Sequence, residues 1–227
     1  MRINLARSSN PRIVSLLNRH SEIDAVELEP PEDGSLLSFV QGDWSREIVE
    51  NRSGLHPRGL LELIDNNPLI CADHFSLPRA DFVALLIAVG PAMQNGMIAN
   101  LSSIESNSFT FVENNDVFAS ELGWRLSPSV ALIPTQDPAF TITGILKPEV
   151  THGDFLSLYI ERYSRSPLIH FYETSQNGYL VKIGLPSENT VCVTVYCNNP
   201  QLCFADYVVF AMNVMCGYED SLGLSAN

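Results

Sequence analysis

Val130-Ala-Leu-Ile-Pro134, Ala139-Phe-Thr-Ile-Thr-Gly-Ile-Leu146 and the closing Ala211-Met-Asn-Val-Met-Cys-Gly-Tyr-Glu-Asp-Ser-Leu-Gly-Leu224 are the stretches whose reading decides the fold. The first two are rich in β-branched residues that suit a pleated, half-buried surface. Leu132 to Leu146, Leu168 to Glu173, Leu180 to Leu185 and Val191 to Cys197 supply four strand candidates of this kind. Asp154 to Tyr163 reads as a helix with Leu156, Tyr159, Ile160 and Tyr163 on one face, and Asp206 to Cys216 as the last helix. A mixed or antiparallel sheet with helices on one face is the α+β arrangement.

Upstream, residues 2–28 read as strand, helix, strand, with Asn10-Pro11 opening the helix. Residues 29–58 are rich in turn formers, and Trp44 to Val49 and Leu60 to Ile64 are each predicted as a short helix. Pro68 to Ala72 is predicted as a buried strand with Cys71 as a small core residue, and Asp81 to Gln94 as an apolar helix ending at Asn95-Gly96. The predicted division is a Rossmann-like α/β remnant over 1–95 and an α+β domain over 96–227, with the final helix packing back on the first part.

The 227 residues carry 13 basic and 26 acidic side chains, a net charge of −13, and no run of Lys or Arg. Nucleic acid and anionic membrane surfaces both require a concentrated positive patch and are excluded as expected partners. The five cysteines are odd in number and lack a C-x-x-C spacing, which fits reduced thiols in the cytoplasm. Met1 to Arg7 has no apolar run of signal-peptide length, and no stretch approaches the ~20 apolar residues of a membrane span.

The closing segment resembles the end of N-acetyl-γ-glutamyl-phosphate reductases, members of the aspartate-semialdehyde dehydrogenase superfamily, which reads Q-N-M-N-L-M-F-G-F-D-E-T-x-G-L. Leu16-Leu-Asn-Arg-His-Ser-Glu-Ile-Asp-Ala-Val26 is similar to the L-L-x-x-H-P-E-V-x-V-V of the same family. The resemblance implies a shortened relative of the reductase fold. It also implies motifs that this sequence lacks. Ala6-Arg-Ser-Ser-Asn-Pro-Arg12 stands where the family has the phosphate loop G-A-x-G-Y-T-G, and it contains no glycine to let the backbone approach a pyrophosphate. Leu77-Pro-Arg-Ala-Asp-Phe-Val83 falls on N-P-G-C-Y-P-T, which puts Ala80 at the nucleophilic cysteine. Ser102 to Phe109 replaces the substrate loop S-G-x-S-G-A-G-R, and Asn114 falls on the second histidine of H-R-H-x-P-E-I. Asn198 to Asp206 replaces the D-N-x-x-K-G-A-A-G loop, with Leu202 at its lysine. No cofactor is therefore expected.

Several ionisable groups stand where the family site would lie. Asp81, Asp116 and His74 are the candidate catalytic residues, and Arg79, Lys182 and Glu105 the candidate substrate-binding ones. Histidine is the side chain that changes charge near neutral pH, a carboxylate can accept a proton from an amine, and a pair of cations can stabilise a departing anion. The resemblance implies an amino-acid derivative as substrate, carried in related pathways on a small acidic carrier protein. The expected function is a non-redox ring closure or elimination with loss of phosphate or sulfate, of the aziridine or azabicycle type. The alternative is an inactive scaffold or regulatory subunit. Under either reading a partner protein or a second copy is expected to cover an apolar closing helix, where Tyr207, Phe210, Val214 and Met215 would lie bare, or the sheet.

Overall fold

A computed structural model describes residues 1–30, 35–52, 54–55, 57–64, 66–107, 127, 129–135, 139–172 and 178–224. The chain forms two compact units, Met1–Arg79 with Asn199–Asn227, and Ala80–Asn198. The division thus falls at Arg79/Ala80 instead of 95/96, and the closing helix is counted with the first unit. Both units are mixed sheets with helices, an α+β fold.

In the first unit, strands β1 (Leu5–Arg7), β2 (Val26–Glu27), β3 (Leu37–Gln41), β4 (Trp44–Glu50) and β5 (His74–Leu77) form a sheet in the order β2-β1-β3-β4-β5. β1 runs parallel to β2 and β4 to β5, while β3 is antiparallel to both its neighbours. Helix α1 (Pro11–Leu17), a 3-10 turn at Leu61–Leu63 within the expected short helix Leu60 to Ile64, and helix α2 (Asn66–Ile70) belong to the same unit. Two expectations fail here. Trp44 to Val49 is a strand, because Gly42 at φ 66° and Asp43 make a two-residue hairpin loop and the flanking residues alternate in burial. Pro68 to Ala72 is not a strand: it continues α2 and the turn after it, and Cys71 is exposed. Asn66-Asn67 ahead of Pro68 favours a helix start, since proline fits a first turn.

The closing helix (Pro200–Cys216, α5 below) begins six residues earlier than predicted. Asn199 caps it by accepting the Leu202 N–H, and Pro200 occupies the first position, where no N–H is needed. It ends on Gly217 in the left-handed conformation, with Tyr218 N–H returning to the Asn213 carbonyl. Every residue from Cys203 to Met215 is buried, Tyr207, Phe210, Val214 and Met215 among them, so the expected bare surface on this helix is corrected. α1, α2 and β4 all pack on it.

Two segments that carried the resemblance meet in a buried polar network. His20, after α1, accepts the Glu22 N–H at Nδ1 (3.2 Å), so its Nε2–H donates to Asn213 Oδ1 (2.8 Å). The Asn213 amide then donates to the carbonyls of Asp220 (3.1 Å) and Leu222 (2.8 Å), which folds the closing Asp220-Ser-Leu-Gly-Leu224 back. Gly223 has φ 74°, and a Cβ there would lie 2.6 Å from His20 Cδ2. Glycine is required on both counts.

In the second unit, helix α3 (Ala80–Gln94) is followed by β6 (Ile98–Ser106), β7 (Ala131–Pro134), β8 (Ala139–Leu146), helix α4 (His152–Tyr163), β9 (Ile169–His170), β10 (Tyr179–Ser187) and β11 (Thr190–Tyr196). The sheet order is β7-β6-β8-β11-β10-β9. β6 was missed from sequence because its register shifts at 98/100 and 101/103 space the buried Ile98, Leu101 and Ile104 by three residues, which hides the two-residue period. Phe140, Ile142, Val191, Val193 and Val195 are buried on the face that receives α3.

α4 is rotated from the expected stripe. Phe155, Leu158, Tyr159 and Tyr163 are buried, and Ile160 is 49% exposed. The rotation follows from a proline. Pro91 within α3 has no N–H for the Ile87 carbonyl, and Tyr163 Oη donates to that carbonyl instead (3.0 Å). Tyr159 Oη donates to the next carbonyl, Ala88 (2.5 Å).

The His20 network gives two expected outcomes. Asn213→Ala leaves a buried imidazole N–H and two carbonyls unpaired and should lower unfolding free energy by on the order of 3 kcal/mol in urea titrations. Burial lowers the His20 pKa from 6.5, against the opposing effect of its hydrogen bond to Asn213. Below pH 6.5 the unfolded chain takes up this proton more readily than the folded one, so the neutral histidine's contribution is full above 6.5 and is lost as pH falls. The midpoint of wild type should therefore drop between pH 7.5 and 5.5 by more than that of His20→Gln.

Candidate functional site

One face of the first sheet is spent on the core. Ala6, Leu37, Phe39, Ile48, Phe75 and Leu77 are buried there together with Arg46. Arg46 donates to four carbonyls: Ala72 (2.9 Å), Leu69 (2.9 Å), Ile70 (3.1 Å) and Met215 (2.7 Å). Burial lowers its pKa, but a guanidinium stays charged, and the C-terminal ends of α2 and α5 offer it negative dipole ends. Trp44 lies over it at 4.1 Å and donates its indole N–H to Asp73 (2.5 Å).

The opposite face carries a cavity of about 480 Å³. Its floor is a register row across four strands: Arg7 opposite Ser38, Ser38 opposite Glu47, Glu47 opposite His74. Leu5, Val40 and Ser45 form the next row, and Glu29, Pro30, Phe39, Arg46 and Asp73 complete the lining. Arg7 Nε is held by Glu27 (2.6 Å), with Glu29 at 4.0 Å. The Glu47 side chain, 20% exposed, lies 3.6 Å from Arg52. An imidazole and a carboxylate on adjacent strands, facing the same space, can together hold and move a proton.

The segment that would serve as a phosphate loop is closed on itself. Ser8 Oγ donates to the Leu36 carbonyl (2.6 Å) and accepts the Asn10 N–H (3.2 Å). Asn10 Oδ1 takes the N–H groups of Arg12 (2.9 Å) and Ile13 (3.4 Å), and Pro11 has none to offer. Arg12 reaches the buried carboxylate of Asp206 at 3.8 Å. Three of the five cysteines lack nucleophilic settings: Cys197 and Cys203 are buried, and burial pushes the Cys216 thiol up to about 12.

Of the residues expected from sequence, His74 lies in the cavity. Arg79 is exposed beyond the far end of β5, five residues away along the chain. Asp81 lies in the first turn of α3. Asp116 falls outside the described residues. Glu105 and Lys182 belong to one row of the second sheet, Glu105–Thr141–Thr194–Lys182, and stand three strand spacings apart, about 14 Å. Lys182 lies over the Tyr196 ring at 4.9 Å. Ser38 and Glu47 were missed because their strands were read as turn and helix; the Gly42-Asp43 pair between alternating residues is the signal that marks them. Among the described residues no group of three or more His, Cys, Asp or Glu could hold a metal ion, and no helix is long and apolar enough to cross a membrane.

Arg46→Met should destabilise the protein by about 3 kcal/mol or more, since it leaves buried carbonyls unpaired, and Arg46→Lys should recover only part of this because one ammonium cannot span four acceptors. Urea unfolding of the two variants checks both.

No protein-family model matches the chain, and no curated protein does. Among solved structures it is similar to aspartate semialdehyde dehydrogenase II of Vibrio cholerae, crystallised in complex with ASA, at a TM-score of 0.52 and 9% identity. The match covers 95% of this chain and 98% of that one. At such identity the likeness shows the fold alone, and the chain has the two-unit α+β fold of a semialdehyde dehydrogenase.

Proposed function

We propose that this chain is a non-redox, cofactor-independent relative of the semialdehyde dehydrogenases acting on a small amino-acid derivative. The observation that carries the reading is the cavity over the first sheet with His74 and Glu47 side by side on its floor. The self-capped start of α1, whose first N–H groups are taken by Asn10, supports chemistry that needs no nucleotide pyrophosphate. The reaction that fits is ring closure by displacement. The substrate nitrogen bonds to a carbon, the carbon–oxygen bond to a phosphate or sulfate breaks, the leaving group departs with the electron pair, and His74 receives the nitrogen's proton. An acidic carrier protein would present the substrate.

Intact-mass spectrometry of a phosphorylated amino-acid derivative on its carrier, incubated with the chain and no nicotinamide, should show loss of phosphoric acid without any hydride gain. His74→Asn should slow this by at least ~100-fold at unchanged folding, in the range ordinary for a general base. An unchanged mass with several such substrates sinks the reading.

A second reading, a non-catalytic subunit of an assembly, is favoured by the second sheet. On the face away from α3, Thr141, Thr143, Cys192 and Thr194 are half-buried between Ile133 and Ile145, each 41% exposed. Glu105 and Lys182 at the two ends of one row give this face opposite charges to offer a partner. Light scattering of Lys182→Glu separates the readings: dissociation of an oligomer with no turnover in the wild type supports the subunit.

A further inference from the structure

The charged groups around the cavity are answered by the protein itself. Arg7 is held by Glu27 at 2.6 Å, with Glu29 at 4.0 Å. Glu47 lies 3.6 Å from Arg52, and Asp73 accepts the Trp44 indole N–H at 2.5 Å. Arg46 turns its guanidinium onto four carbonyls on the helix side of the sheet. Three cations, Arg7, Arg46 and Arg52, thus stand among four carboxylates, Glu27, Glu29, Glu47 and Asp73. A charged ligand would have to break one of these contacts to gain its own, and would leave the abandoned charge without its partner.

The neutral polar groups are in the opposite condition. Ser38, Ser45 and His74 line the cavity, and among the described residues their side chains have no hydrogen-bond partner. Register gathers them around one space. Ser38 and His74 both stand opposite Glu47, on either side of it, and Ser45 lies two residues before Glu47 on the same face. Ser38 and Ser45 are diagonal neighbours across β3 and β4, about 7–8 Å apart, a span that one small polar group can bridge. Hydroxyls both donate and accept, and a neutral imidazole does one of each. Leu5, Val40 and Pro30 supply apolar walls.

We propose that the cavity takes an uncharged, hydrogen-bonding end of its ligand, a nitrogen that carries no charge at neutral pH, received by Ser38, Ser45 and His74. This rests on reading the cavity as the substrate site, and it narrows the substrate class: the displacing nitrogen is weakly basic and enters with its lone pair available. The nitrogen–carbon bond then forms without prior deprotonation. The carbon–oxygen bond breaks with its electron pair on the phosphate or sulfate, and the proton of the product nitrogen passes to His74.

Three probes that share a trifluoromethyl group read this by ¹⁹F NMR of the full chain, without any turnover. At pH 7.5, 2,2,2-trifluoroethylamine is a free base, 4,4,4-trifluorobutylamine a cation and 3,3,3-trifluoropropanoate an anion. The free base should bind at least tenfold tighter than either ion, although the butyl chain offers more apolar surface. Raising the salt should leave its binding unchanged, since no ligand charge is screened. Ser45→Ala, at an exposed position, and His74→Asn should each weaken it severalfold, while Glu188→Gln, a control in the second unit, should leave it as it is. Either ion binding as tightly as the free base, binding of none of the three, or free-base binding unaffected by both Ser45→Ala and His74→Asn overturns the proposal. Free-base binding at these residues with no displacement of phosphate or sulfate removes the reaction and keeps the site, whereas displacement by a chain that holds the cation as tightly removes this inference alone.

Discussion

The side chain on which the first unit depends is Arg46. It enters the core as an unavoidable cost, a charge taken out of water, and no carboxylate forms an ion pair with it among the described residues. Backbone oxygen answers it instead, from Leu69 and Ile70 at the end of α2, Ala72 before β5 and Met215 at the end of α5. The last turns of helices carry carbonyls without intrahelical partners, so one planar cation satisfies groups that water cannot reach, in addition to the Ala72 N–H that the Leu69 carbonyl also accepts. It thereby ties together segments 23 to 169 residues apart in the chain. Trp44 seals it by stacking, and Asp73 fixes Trp44.

This use of one sheet face decides what the other can do. Strand alternation sends Arg46 to the helices and Glu47 to the opposite side, so the residue next to the structural charge faces the cavity. A sheet with parallel pairs is ordinarily covered on both faces. Here the second face carries Arg7, Ser38, Glu47 and His74 in one row, a polar surface that suits a small ligand.

The residues that carried the family resemblance turn out to be architectural. His20, Asn213 and Gly223 meet in one buried network that turns the end of the chain back on α1's exit, and Gly223 is needed because both its φ and its distance to His20 exclude a Cβ. The likeness therefore speaks for a frame. The groups proposed for chemistry lie elsewhere, on strands β3 to β5, and His74 was the member of the expected set that could be placed with them, because it follows a turn and opens a strand. Glu105 and Lys182 could not be related from sequence. Their register across β8 and β11, which puts them on one row yet about 14 Å apart, arises only from pairing.

The sequence by itself determined the elements whose signals are local. Asn10-Pro11 opens α1, the apolar run to Asn95-Gly96 is α3, and the β-branched runs are β8 and β11. Caps, proline and branched side chains act on their own backbone, so neighbours in sequence suffice to read them. Tertiary structure alone decided the rest. β6 hid behind two bulges, α4 took its rotation from a carbonyl freed by Pro91, and α5 was buried on all sides when its pattern suggested a bare stripe. Each depends on a partner distant in the chain, and so does the cavity, whose four floor residues come from four strands and share a space only once their hydrogen-bond register is set.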